Sequence, residues 1–397
     1  MQTKQVLTVL CLIGLAITVE ERIAVAQAPA VDNEALAQTI VTQNARVTEG
    51  DRVLITGSAR DLELLENIAV HVRKAGAWPM IQLGSERLIK RMFDDVPAEY
   101  DSQAPELALA LADVFTVWID VPLVAAPDLL THVAPARFAA QGAAFEPVGQ
   151  LWRERNIRFV ELGNGLYPTA WRARRFGISE SELADLFWAG VNVDYAELQQ
   201  TGEAFSEALS GGDEVRLTNP NGTDLRMRIQ GRPIYVSDGV ISAEDEQQGG
   251  AAVQAWLPAG EVYLTPVAGS ASGTIVVERD FYQDQEIRGL RLTFADGRLS
   301  SMTAESGLER FQALYDAAGA GKDVFGLIDI GINSEVRIPE GSRLAAFSPA
   351  GIVTVGFGDN TWAGGDNVSN FGWSAQLPGS TLTVDGVPLV ENGALKQ

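Results

Sequence analysis

Cysteine and histidine, which supply many metal sites and catalytic nucleophiles, are nearly missing from this sequence. One cysteine, Cys11, and two histidines, His71 and His132, occur in 397 residues. A single cysteine excludes a disulfide within the chain. Both histidines lie in the N-terminal half, which excludes a His-rich zinc site and a histidine-based triad built from the C-terminal half. We interpret both as structural or surface residues, because neither has an Asp, Glu or His at the spacing of metal ligands.

Positive charge is also scarce. Lysine and arginine number 30 against 52 acidic residues, for a formal net charge of -22. Such a balance argues against nucleic acids and anionic membrane surfaces as partners, because their phosphates would be repelled. No long block of like charge occurs, and 46% of the residues are apolar. The composition therefore predicts a folded acidic protein with enough length for two domains.

The first thirty residues have the pattern of a targeting segment. Lys4 precedes an apolar run from Val6 to Val19, which is shorter than a membrane span but typical of a signal-peptide core. Small residues at Ala24-Val25-Ala26 and Ala26-Gln27-Ala28 offer cleavage sites. We predict that residues 1–30 form a signal peptide and that the protein is exported to the periplasm or the extracellular space. An uncleaved N-terminal anchor and a buried first helix are the alternatives.

Residues 31–210 alternate between strand and helix patterns, which predicts an N-terminal α/β domain with a parallel sheet. Asp194 is placed as an N-cap before the last helix of this region. The expected strands cover 53–56, 80–83, 114–120 and 158–162, and the expected helices cover 33–43, 62–75, 179–189 and 194–209.

Near residues 209–212 the pattern changes to short strands separated by glycine turns. A tight turn at Asn219–Gly222 joins two alternating segments, which predicts a hairpin. One helix, at about 306–318, is expected among the strands. We therefore predict a C-terminal, mostly antiparallel β-rich domain over residues 211–397, and an α/β fold class for the whole chain.

The segment Leu257-Pro258-Ala259-Gly260-Glu261-Val262-Tyr263 delivers a single carboxylate, Glu261, at the start of a strand pattern. Together with Pro266, with Gly273-Thr274-Ile275-Val276 and with the opening Gly50-Asp51-Arg52-Val53-Leu54-Ile55, it resembles the thermophilic-type metallo-aminopeptidases, the aminopeptidase T and aminopeptidase S group. The resemblance covers nearly all of the chain after the leader. It implies a peptide hydrolase with a two-metal site in the C-terminal domain, and a homodimer.

In that family the two metals are held by Glu, Glu, His, His and Asp. The resemblance places the first Glu at Glu261. The frame Gly326-Leu327-Ile328-Asp329-Ile330-Gly331-Ile332-Asn333 matches the second-Glu segment, but Leu327 stands at the ligand position. Thr354 stands at the first His position, Gly372 at the second, and Ser374 at the Asp position. Only one of the five ligand positions therefore keeps its chemistry.

Two interpretations follow. In the first, the chain is a pseudoenzyme or a repurposed binder of a small peptide or small molecule, without a metal cofactor, whose pocket includes Thr354, Ser374, Trp362 and Trp373. We assign core packing as the main role of Trp373. The same substitutions count against ring-cleaving oxygenases on related folds, which need a His/His/carboxylate iron site.

In the second interpretation, the chain is an active metal-dependent aminopeptidase with a rearranged site that holds divalent Zn, Co, Mn or Mg ions. A carboxylate-only site would consist of Glu261, Asp329, Asp359 and Asp366, and it would suit a hard cation. Its prediction is that the oxygens of Glu261, Asp329 and Asp359 converge within coordination distance. Turn chemistry is the alternative role of Asp359 and Asp366, since each precedes an asparagine in a glycine-rich stretch.

Overall fold

The computed structural model of the chain describes residues 32–123, 126, 128–282, 285–343 and 349–396. The expected signal peptide, with Cys11, lies outside the described residues and stays a prediction. None of the helices within these ranges is long and apolar enough to cross a membrane.

The helices and strands follow one another in the order that the sequence patterns suggest, with several additions. The α-helices are α1 Asn33–Thr39, α2 Leu62–Lys74, α3 Glu86–Asp94, α4 Glu106–Val114, α5 Pro135–Glu154, α6 Ala170–Phe176, α7 Glu180–Val191, α8 Tyr195–Ser210, α9 Ala243–Gln248 and α10 Glu309–Ala317. The strands are β1 Arg52–Ser58, β2 Trp78–Gly84, β3 Val117–Asp120, β4 Arg158–Leu162, β5 Glu214–Asn219, β6 Thr223–Arg228, β7 Ile234–Ser237, β8 Gln254–Leu257, β9 Glu261–Leu264, β10 Ser272–Tyr282, β11 Gln285–Ala295, β12 Arg298–Thr303, β13 Phe325–Gly331, β14 Val353–Gly358, β15 Gly372–Leu377, β16 Thr381–Val384, β17 Val387–Glu391 and β18 Ala394–Leu395.

The N-terminal half is built on a parallel sheet, as its βαβ pattern predicts. Its five strands lie in the order β2-β1-β3-β4-β8 and run parallel throughout. On β1, Val53 and Ile55 are completely buried in the main hydrophobic core, where α2 packs against the strand. Asp194 caps α8 as expected, since its side chain accepts bonds from the backbone N–H groups of Ala196 and Glu197.

The C-terminal half contains two antiparallel sheets. One has eight strands in the order β12-β11-β10-β6-β5-β16-β17-β18, and the other has five in the order β15-β14-β13-β9-β7. The predicted hairpin is confirmed as β5 and β6, joined at Asn219–Gly222 with Asn219 paired to Thr223. The predicted α/β fold, with a parallel-sheet part and an antiparallel β-rich part, is therefore correct.

Some boundaries differ from the prediction. The strand expected from Val114 begins only at Val117, because α4 extends through Val114. The long helix α5 was not predicted, since Pro147 lies inside it and its apolar residues follow no regular helical spacing. The C-terminal half also holds α9, whose first turn is closed by a capping box between Ser242 and Asp245, in addition to the expected helix near residue 310.

One chain crossing positions the site. Strand β8 returns to the parallel sheet beside β4, and only three residues later β9 enters the five-stranded antiparallel sheet. Glu261 is the first residue of β9 and lies at this junction. The domain boundary expected near residue 210 stays a prediction, and the described residues belong to one compact unit.

Candidate functional site

A continuous row of side chains crosses one face of the five-stranded sheet. Tyr235 pairs with Tyr263, Tyr263 with Asp329, Asp329 with Thr354, and Thr354 with Gln376. Directly opposed residues in a sheet project from the same face, so these five side chains form one line across all five strands. Along the row, the two tyrosines are followed by the Asp329 carboxyl, the Thr354 hydroxyl and the Gln376 amide.

Neighbouring residues on the same face complete the site. Side chains two residues apart on a strand share a face, which adds Glu261 beside Tyr263 and Leu327 beside Asp329. Ser374 lies opposite Gly356, which shares the face of Thr354. Apart from Tyr235, the side chains of the row line a cavity of about 490 Å³ together with Glu261, Leu327 and Ser374. The cavity is also lined by residues of β8, of β10 and of two loops: Asn164, Trp256, Val277, Arg279, Asp280, Phe281, Ile338, Ser342 and Arg343.

The turn that presents Glu261 is held by Asn333. Its completely buried amide donates to the carbonyls of Ala259 at 2.6 Å and Gly190 at 3.1 Å. Gly260 has a φ of 126°, and a Cβ there would lie 2.4 Å from the Asn333 Cβ. Glycine is therefore required at this position. Asn333 ends the frame that the sequence resemblance identified, and the structure gives that frame a physical role in placing the Glu261 carboxylate.

Leu327, which the sequence resemblance places at the second ligand position, is a packed apolar side chain. It is 6% exposed and forms a small hydrophobic cluster with Tyr263 and Ala363, against which Tyr235 packs. This cluster is separate from the main core. Leu327 therefore makes part of the cavity wall apolar, which disfavours a charged group there.

The remaining ligand positions carry small neutral groups. Thr354 is 7% exposed and faces Asp329 across the sheet, whereas Ser374 and Gly372 are exposed on the outer strand β15. A Cβ added to Gly372 would have no neighbour closer than 3.9 Å, so the space of the missing side chain stays open.

The structure does not assemble the four-carboxylate site. Glu261 and Asp329 line the same cavity, but Asp359 accepts bonds from the Thr361 hydroxyl and the Ser369 backbone N–H in its own turn. Asp366 is exposed and lines neither cavity of this region. Throughout the described ranges, no three Asp, Glu, His or Cys side chains are grouped so that they could hold a metal ion. The expected convergence of Glu261, Asp329 and Asp359 is therefore absent there.

The two tryptophans differ in environment. Trp362 is 45% exposed, and its ring centroid lies 5.9 Å from that of Tyr263, at the cavity. Trp373 packs against Phe311 and Phe357 at 5.8 and 5.3 Å, in agreement with its expected core role. It also lines a smaller cavity of about 370 Å³ that shares Leu327, Trp362 and Ser374 with the first.

Burial sets the electrostatics of the cavity. It raises the pKa of the Tyr263 hydroxyl, and the nearby charges of Glu261 and Asp329 raise it further. Burial also raises the pKa of Asp280, although the Trp373 indole N–H donates to its carboxylate at 2.9 Å. Tyr263 therefore stays a neutral hydroxyl at physiological pH.

A pair of half-buried carboxyls lies on the parallel sheet next to the cavity. Asp120 and Glu161 are directly opposed on β3 and β4, and Glu161 is opposed to Trp256, a cavity residue. Burial and then the Asp120 charge raise the pKa of Glu161 to about 7. Burial also raises the pKa of Asp120, whose carboxylate accepts a bond from the Thr56 hydroxyl.

The histidines lie outside this region. His71 is 7% exposed and its Nε2 lies 2.9 Å from Glu34, whereas the exposed His132 has its Nε2 2.6 Å from Asp94. Neither lines the cavity. Each histidine thus has a carboxylate partner from a distant part of the chain, which residue spacing alone could not show.

The sequence patterns did not predict that residues of β8 and β10 line the cavity. Trp256, Arg279, Asp280 and Arg343 line the cavity but belong to no motif that the sequence offered. The charged run Glu278-Arg279-Asp280, directly after an apolar strand pattern, was the available signal.

Comparisons with known proteins place this architecture. The model of the thermophilic metalloprotease (M29) family matches residues 31–324. The chain is also 23% identical over 316 residues to aminopeptidase PepS of Streptococcus thermophilus, which covers 69% of this chain and 70% of that protein. The family match ends just before β13, so the strands with Leu327, Thr354 and Ser374 lie beyond it.

Two solved structures share the fold. AmpT of Thermus thermophilus superposes with a TM-score of 0.70 at 16% identity, over 92% of this chain and 99% of that one. A 2,5-dihydroxypyridine dioxygenase of Pseudomonas putida KT2440 superposes with a TM-score of 0.60 at 12% identity, over 92% and 98%. Their names describe different kinds of protein, so the fold alone does not select an activity.

Proposed function

We propose, from the premise that this chain belongs to the thermophilic metalloprotease (M29) family, that it is a member without the two-metal site. In this proposal it binds a small peptide or another small molecule in the cavity beside Glu261 and does not cleave it. The protein acts outside the cytoplasm.

The observation that carries the proposal is the packing of Leu327. A two-metal site needs several anionic or imidazole ligands around each ion. Here the cavity offers the carboxylates of Glu261, Asp329 and Asp280, which are not grouped so that they could hold a metal ion. Leu327 is buried in an apolar cluster, and Thr354 and Ser374 are neutral. The residues present therefore do not fit a pair of divalent ions.

The cavity itself supports the binding part of the proposal. It combines aromatic walls at Tyr263 and Trp362 with hydrogen-bonding groups at Thr354, Ser374 and Gln376. A concave site with apolar walls and a few converging polar groups is typical of small-molecule binding. The loss of the metal ligands has left this shape open.

Export and dimerisation are part of the same proposal. The basic residue Lys4, the apolar run after it and the small residues near position 26 support export. The net charge of -22 argues against a nucleic-acid partner. The homodimer is carried over from the family resemblance, and sedimentation of the purified protein would measure it.

The test is a joint measurement of metal content and turnover. The purified protein is incubated with Zn²⁺, Co²⁺ or Mn²⁺, desalted, and analysed by mass spectrometry for bound metal. The same sample is assayed on leucyl and alanyl substrates. Aminopeptidase PepS of Streptococcus thermophilus, treated in the same way, is the control.

We expect less than one equivalent of retained metal and no turnover, with metal and turnover in the control. Retention of about two ions per chain together with turnover would refute the proposal. That result would instead support an active aminopeptidase whose site includes Glu261 and Asp329, two of the carboxylates that line the cavity.

A further inference from the structure

We propose that the cavity has two oppositely charged ends and selects a short peptide with both termini free. The peptide ammonium lies at Glu261 and Asp329, and its terminal carboxylate lies between Arg279 and Arg343. This inference rests on the proposed function, because it names the ligand class of the same cavity. It differs from aminopeptidase recognition because the protein also binds the C-terminal carboxylate of the peptide.

The acidic end is formed by neighbouring strands. Glu261 is paired with Gly331, two residues from Asp329 on β13, so both carboxylates project from one face of the sheet. The rings of Tyr263 and Trp362 stand beside them in the cavity. Carboxylates together with aromatic faces are a suitable environment for an ammonium group.

The basic end is formed by β10 and the loop after β13. Val277, Arg279 and Phe281 alternate along β10 and share a face. The guanidinium carbons of Arg279 and Arg343 lie 5.1 and 5.3 Å from the centre of the same Phe281 ring. Two cations at one ring repel each other, and an anion that binds between them relieves that repulsion.

The two arginines differ in their other partners. Arg279 pairs with Glu286, with its Nε 2.8 Å from the carboxylate. Arg343 makes no ion pair with any residue that the structure describes. Its backbone is nevertheless fixed, because its N–H donates to the Phe176 carbonyl at 2.6 Å. Arg343 is therefore a positioned cation at the cavity, with its guanidinium available to a ligand carboxylate.

The distance between the ends limits peptide length. Adjacent strands lie about 4.8 Å apart, so β13 and the sheet edge at β15 are separated by roughly 10 Å, and β10 of the other sheet contacts β15. An extended residue spans about 3.3–3.6 Å. A peptide of about two to four residues therefore fits the span. Thr354, Ser374 and Gln376 lie between the ends and can bond its peptide groups.

Because the protein is strongly negative overall, the two arginines decide whether a peptide carboxylate is attracted to the cavity. A protein with a net charge of -22 repels free carboxylates in general. Without a local cationic pair, the C-terminal carboxylate of a peptide would weaken binding. With Arg279 and Arg343 at the cavity, it strengthens binding instead.

Calorimetric titration of the full, metal-free protein with three probes tests the inference. The probes are trialanine, trialanine with a C-terminal amide, and N-acetyl-trialanine. We expect trialanine to bind and each blocked probe to bind about tenfold or more weakly, the factor that loss of a charged hydrogen bond gives. Arg343→Gln should weaken trialanine binding by a similar factor and leave the affinity for the amide unchanged. Arg87→Gln, at an exposed arginine of α3 away from the cavity, is the control.

The outcomes separate the two proposals. If trialanine and its amide bind equally well, and Arg343→Gln has no effect, the basic end is refuted while peptide binding stands. If none of the probes binds, the peptide class is refuted. If the protein retains two metal ions and cleaves trialanine, the proposed loss of catalysis fails, and the Arg343→Gln comparison on turnover still tests the basic end.

Discussion

Replacing Leu327 with glutamate would place a carboxylate inside the small apolar cluster, at the position that the family resemblance aligns with the second Glu ligand. Leu327 is 6% exposed and packs with Tyr263 and Ala363. Leucine and glutamate are similar in length, so the change alters polarity much more than volume. We expect Leu327→Glu to destabilise the metal-free protein, and to do so more as the pH rises.

The expected magnitude follows from burial. Removing a buried leucine side chain from an apolar contact costs about 1.5–3 kcal/mol. Burying a polar group without a full set of hydrogen bonds adds about 1–3 kcal/mol. The total, about 2.5–6 kcal/mol, is a large share of the 5–15 kcal/mol that typically separates folded and unfolded states.

The pH dependence has a definite sign. Burial and the neighbouring carboxylates of Glu261 and Asp329 would raise the pKa of a glutamate at this position above its unfolded value of about 4.3. The native state would then bind the proton more tightly than the unfolded state. Stability would therefore fall as the pH rises from the unfolded pKa through the folded pKa.

Urea unfolding at pH 5 and pH 8, followed by tryptophan fluorescence, measures both effects. Leu327→Gln is the matched uncharged control and should lose stability equally at both pH values. Leu327→Met should cost less than about 1.5 kcal/mol. A Leu327→Glu protein within about 0.5 kcal/mol of the wild type at pH 8 would show that this position is not part of a closed apolar cluster.

Two further predictions concern groups that support the site. Glu161 has a pKa of about 7, above the ordinary value of 4.5, so its ionisation should lower stability by up to about 3 kcal/mol as the pH rises from 4.5 through 7. Glu161→Gln should remove that loss. If the unfolding free energies of the wild type at pH 5 and pH 8 do not differ more than those of Glu161→Gln, the raised pKa of Glu161 is contradicted. Asn333→Ala should cost about 2–4 kcal/mol, because it leaves the buried carbonyls of Ala259 and Gly190 without their donor; a loss below 1 kcal/mol in urea unfolding would mean that the turn before Glu261 is held by other contacts.

The fold was largely predictable where local pattern and final environment agree. The strand at 158–162 matches its prediction in full, because its alternating residues meet a buried and a half-buried face. The N-cap at Asp194 is likewise a local device, and it is confirmed. In contrast, α5 contains Pro147 and lacks a regular apolar stripe, so packing of the surrounding chain decides that segment.

The candidate site was likewise predictable from the sequence only in part. The sequence by itself supplied the ligand positions only as a prediction, since the family resemblance places Leu327, Thr354, Gly372 and Ser374 where ligands are expected. It also determined that Glu261 begins a strand. Residue type and local spacing carry both results.

Only the tertiary structure decided which of these residues meet. Register across five strands brings Tyr263, Asp329 and Thr354 into one row, and it leaves Asp366 outside the cavity. The chain crossing from β8 to β9, with β10 from the other sheet, adds Trp256 and Arg279. Such contacts join residues far apart along the chain, and their energies depend on burial and strand register that no local pattern encodes.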